Sequence, residues 1–125
     1  MKIKQVMSTK AIVVVFFGLG FLFLTETIMS LYGMEVNSGA IVAGRLLGGM
    51  YTLIALLLWL CRNTQEASTK KAFAIAVTIG DAIGTVVSLL ATQSGAMNSM
   101  GWSAVGIYLI FTLGFGYFIL KPEEA

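Results

Sequence analysis

The residues able to do chemistry in this chain are few, and most sit among apolar neighbours. Asp81 stands in the middle of AFAIAVTIGDAIGTVVSLLAT, residues 72–92, a stretch long enough to cross a bilayer. An aspartate at that depth costs roughly 2.5–3.5 kcal/mol on insertion scales, so it must face protein or water rather than lipid. Read as a helix, Thr78, Asp81, Thr85 and Ser88 step by three and four and share one stripe. Two further intramembrane charges, Glu26 and Arg45, fall in other apolar stretches, and Tyr51 and Tyr108 lie at middle depths with hydroxyls able to donate to Asp81. Two chemistries are open. In the first, Arg45 neutralises Glu26, pins helices in register and leaves Asp81 satisfied by hydrogen bonds. In the second, two acids against one arginine leave Asp81 able to take a proton, as in the proton or cation site of a transporter.

Composition narrows the choice. Of 125 residues, 58% are hydrophobic and 11% charged, against about 25% charged in an ordinary soluble domain. That is too little polar surface to cover a globule in water, and a single integral membrane domain spanning 1–125 is expected. Histidine is absent and Cys61 is the lone cysteine. Internal disulfides, Cys/His zinc sites, His-ligated haem and histidine-dependent nucleophilic triads are thereby excluded. No metal or other cofactor is expected. The net charge of +2 is not clustered as nucleic-acid binding requires, and the lipid bilayer is the first expected partner.

The elements that position these residues follow from hydropathy. Apolar runs predict helices over about 11–31, 40–61, 72–92 and 102–120. The first run extends beyond a signal-peptide core and lacks a small-residue cleavage pattern, which favours an uncleaved membrane helix over a secretory signal. GMEVNSG at 33–39, RNTQEASTKK at 62–71 and QSGAMNSMG at 93–101 read as connections, and Lys121-Pro122 ends the last helix. Short loops predict an all-α, antiparallel up-down-up-down four-helix bundle. At about 1.5 Å per residue, Glu26 and Arg45 both fall about 7 Å to one side of their span centres, so adjacent antiparallel helices bring them together. Gly44 with Gly48, and Gly80 with Gly84, have the small-xxx-small spacing that admits a close helix neighbour. Lys2, Lys4, Lys10, Arg62, Lys70, Lys71 and Lys121 all fall on the side of the termini and the 62–71 loop. The positive-inside rule then predicts cytoplasmic termini in a plasma (inner) membrane.

The stretches LYG at 31–33, RLLGG at 45–49, IGDAIG at 79–84, SGAMNSMGW at 94–102 and LGFGYF at 113–118 resemble the small four-helix membrane proteins grouped around the DoxX-like families. The resemblance covers most of the chain and implies the bundle. Some members are linked to quinone or redox membrane complexes, but no residue here would carry electron transfer, so only the fold is carried over. No nucleophile–base pair is visible, and a non-enzymatic packing or partner-binding role is expected, with another membrane protein or a second copy as partner. A small transporter or lipophilic-ligand binder built on Asp81 is the alternative.

Overall fold

The computed structural model describes residues 2–122, all of whose regular elements are helices. They are α1 (Ile3–Phe23), α2 (Thr25–Leu31), α3 (Ser38–Cys61), α4 (Ala67–Ser94) and α5 (Gly101–Leu120). The four long helices, α1, α3, α4 and α5, are each long and apolar enough to cross a membrane. This is an integral membrane four-helix bundle.

Local chemistry sets the ends. Gln5 Oε1 accepts the Lys2 backbone N–H at 2.9 Å, which satisfies one orphan donor at the start of α1. Asn37 caps α3 by accepting from the Ala40 N–H at 2.9 Å. At the start of α4, Ser68 and Thr69 hydroxyls donate to the two carboxylate oxygens of Glu66 at 2.7 and 3.1 Å. Gly95 closes α4 at φ +86°, in the left-handed region that favours glycine.

The first span differs from expectation in two ways. It begins at Ile3, eight residues before the expected start at Ala11, so Lys10 becomes an interior residue of α1. It also bends at Leu24 (φ −125°, ψ 39°) before resuming as α2. No proline is involved. Thr25, buried beside the bend, turns its hydroxyl back to donate to the Phe21 carbonyl four residues earlier, a bond that competes with the helical ladder and favours bending. The third span is longer than expected, reaching from Ala67 to Ser94, while the second and fourth differ by only one or two residues.

The bundle consists of two lengthwise pairs, α1 with α3 and α4 with α5, which meet each other mainly through α1 and α5. Gly48 shows how close the first pair comes: a Cβ there would lie 2.8 Å from both the Gly18 carbonyl oxygen and the Leu22 nitrogen. Lipid tails are as apolar as leucine, so burial from water cannot drive this approach, and close van der Waals packing must hold it. At the end of the bundle nearest the 62–66 loop, Ile3, Met7, Leu58, Ala74, Phe111, Phe115 and Phe118 form an apolar core drawn from all four long helices. Ile79, Ile83, Val86, Val87 and Leu90 of α4 are 55–60% exposed, and they form the face of that helix that suits lipid. Further along, the seam between the pairs turns polar.

Candidate functional site

Asp81 projects from the middle of α4 into that seam, where its partner is a lysine rather than the hydroxyl donors or the free proton expected. The Lys10 ammonium donates to both carboxylate oxygens, at 2.8 and 2.7 Å, and the two side chains are 7% and 8% exposed. The Phe111 ring centroid lies 4.9 Å from the same nitrogen, adding a cation–π contact from α5. Three helices therefore converge on one neutral pair. A buried charge must be matched by its opposite and by hydrogen bonds, and here each ion supplies both for the other.

The expected Glu26–Arg45 pair does not form. Both residues are exposed, and no ion pair joins them among the described residues. The reason lies one residue earlier in each helix. Thr25 is buried against Gly44, where a Cβ would sit 2.6 Å from the threonine methyl. That contact uses the facing sides of α2 and α3, and the next residues, Glu26 and Arg45, turn outward past it. They line a cleft of about 230 Å³ with Phe23, Leu24, Thr25 and Thr27.

Tyr51 of α3 and Tyr108 of α5 form a hydroxyl–hydroxyl hydrogen bond across the seam instead of donating to Asp81. Gly84 makes room for this, since a Cβ there would meet the Tyr108 ring 2.5–2.9 Å away. Gly80, expected as the other half of that groove, has nothing within 4 Å and leaves its side of α4 open. Gly44 and Gly48 face α1 and α2 through the contacts described above, and Gly18, which is not among the expected packing glycines, answers Gly48 from α1.

The remaining stripe residues divide. Thr85 donates to the Asp81 carbonyl at 2.8 Å, so its hydroxyl serves its own helix rather than the carboxylate. Ser88 is buried, and its carbonyl accepts from the Thr92 hydroxyl at 2.7 Å. Thr78 Oγ1 is buried without a hydrogen-bond partner among the described residues. Toward the 95–100 loop, Tyr32 and Ser103 hydroxyls lie 3.2 Å apart, and Asn98 donates from its side chain to the Leu31 carbonyl and from its backbone to Tyr32. A file of polar contacts thus ties α1–α3 to α4–α5 from Lys10 outward to Asn98.

Lys10 is the residue that the sequence reading missed. Its signal was present, since Ile3, Met7, Lys10, Val14, Gly18 and Phe21 recur by three and four and all are buried. A helix start at Ala11 hides that register, because it leaves Ile3, Met7 and Lys10 outside the span. A second cleft, of about 300 Å³, lies between α1 and α3 and is lined by Ala11, Ile12, Val15, Thr52, Ala55, Leu56 and Trp59. Neither cleft is lined by Asp81, Tyr51 or Tyr108. No protein-family model, curated protein or solved structure matches the chain.

Proposed function

We propose that this chain is a non-enzymatic membrane module whose polar core clasps its own two helix pairs and whose outer faces bind a protein partner. The observation that carries the reading is the closed Lys10–Asp81 pair. A transporter's titrating carboxylate must exchange protons or cations with water, whereas both oxygens of Asp81 are engaged by one internal ammonium. The kinship proposed with DoxX-like proteins fits the same role. Each quoted stretch supplies a seam, turn or packing residue here: Tyr32, Gly48, Asp81 with Gly84, Asn98, and Phe115. For orientation, we assign the cytoplasmic side of the inner membrane to the end carrying Lys2, Lys4, Arg62, Lys70, Lys71 and Lys121, by the positive-inside rule. Arg62 stacked 3.8 Å over the Trp59 ring centroid suits a headgroup boundary at that end.

The transporter reading keeps one observation in its favour, the file of hydroxyls that continues from the ion pair along a seam between two separately packed halves. Proteoliposomes with an internal pH dye decide between them. Under an imposed pH gradient and potential, the wild-type chain is expected to leave proton flux at the level of empty vesicles. Flux above that level, abolished by Asp81→Asn in a chain of unchanged helix content, would replace the module reading with the transporter.

A further inference from the structure

We infer that Glu26 and Arg45 mark a two-fold interface with a second copy of this chain, Glu26 of each copy meeting Arg45 of the other. The inference rests on the partner-binding reading above and names the partner.

Depth is the first observation. Arg45 lies about 10 Å along α3 from Ser38, and Glu26 about 8 Å from the end of α2 at Leu31, taking about 1.5 Å per residue. By the same measure α3 is about 36 Å long, and the hydrocarbon core is about 30 Å thick. Both charges therefore lie inside the hydrocarbon region, and both are exposed. Ionisable groups at such depth nearly always face protein or a water-filled cavity.

The surroundings point the same way. The bend at Leu24 falls at this level, with its own N–H and carbonyl paired to Gly20 and Ile28. Phe23 and Leu24, 78% and 57% exposed, stand beside the charges as an apolar rim. Beside the Thr25–Gly44 contact, Glu26 and Arg45 line one and the same cleft with opposite signs. Such a face is complementary to itself. In an isologous dimer, residue i meets j and j meets i, so a single type of surface makes two ion pairs. An unrelated protein would have to carry a matching acid and base at the same depth, whereas a second copy always does.

The test exploits the crossed pairing. Chains with Cys61→Ser and a single labelling site, Asn63→Cys, carry donor or acceptor dyes in phosphatidylcholine vesicles at high lipid dilution. Wild-type chains are expected to show energy transfer. Glu26→Arg alone sets arginine against arginine, and Arg45→Glu alone sets acid against acid, so each is expected to lose transfer. An equimolar mixture of the two variants restores both pairs and should restore transfer, which no pairing within one chain would do. If either reversal lowers helix content, Glu26→Gln and Arg45→Gln decide, each expected to weaken association about thirty-fold or more. Monomeric wild type, or folded reversal variants whose mixture stays apart, would overturn the inference and leave this face to a lipid headgroup or a different protein. Neither result touches the module reading, which proton flux alone would remove.

Discussion

Removing either member of the Lys10–Asp81 pair should destabilise the bundle, and removing both should do so far less than the sum. At about 3 Å and an effective dielectric near 20, the attraction is on the order of 5 kcal/mol. Desolvation of each ion opposes it by several kcal/mol, so the pair is close to neutral against an uncharged replacement. A lone survivor keeps the desolvation and loses the attraction, for which about 3–5 kcal/mol is the usual loss. The two single changes are not equivalent. Lys10 lies about 10 Å from the start of α1, and its flexible stem can carry the ammonium toward the membrane surface. Asp81 is short and lies about 20 Å from either end of α4. Lys10→Met, which strands Asp81 and also removes the contact with Phe111, should therefore lose more than Asp81→Asn. The double variant should fall only about 1–2 kcal/mol below wild type. Detergent-induced unfolding in mixed micelles, followed by circular dichroism, measures all three. Additive losses, or Asp81→Asn as the more damaging single change, would refute the geometry or the account of depth.

Other expectations follow from the glycines, the tyrosines and the charge distribution. Gly48→Ala drives a methyl against backbone atoms of α1 that lie 2.8 Å away, so about 2 kcal/mol or more should be lost, whereas Gly80→Ala meets nothing and should be neutral or gain up to about 1 kcal/mol from helix propensity; the same unfolding assay would reverse this ranking if the α1–α3 contact were wrong. Tyr108→Phe leaves the Tyr51 hydroxyl without its partner and should lose about 1–2 kcal/mol, while Tyr51→Phe/Tyr108→Phe should recover part of that loss. Under the proposed orientation, a cysteine replacing Ser68 should react with membrane-impermeant maleimide only after cells are opened, and labelling of intact cells would invert the assignment.

The spans were legible because a bilayer demands about twenty apolar residues in a row, and that demand is written into composition. Asp81 was legible for the same reason, as an acid where none is tolerated without a partner. Its partner was not, because a lysine immediately before the first long apolar run reads as flanking charge until helix α1 is known to start at Ile3. Glu26 and Arg45 show a different limit. Depth can be counted along a sequence, but the direction in which a side chain leaves its helix depends on which face packs, and the Thr25–Gly44 contact fixes that face. Helical periodicity marked the stripe at Thr78, Thr85 and Ser88, yet could not say that Thr85 would bond its own backbone and leave the carboxylate to another helix.

The clasp also has a history in time. Asp81 follows Lys10 by 71 positions. At about 5–20 residues per second, a ribosome needs about 4–14 s to make that interval. The α1–α3 hairpin is complete well before its counter-charge exists, so the newborn first half holds an uncompensated cation at the place where α1 should settle. Until α4 arrives, that ammonium must be kept near a headgroup or within the insertion machinery. Docking of the second hairpin is then the step that ends the wait, and the late-arriving carboxylate reports that the whole chain has been made.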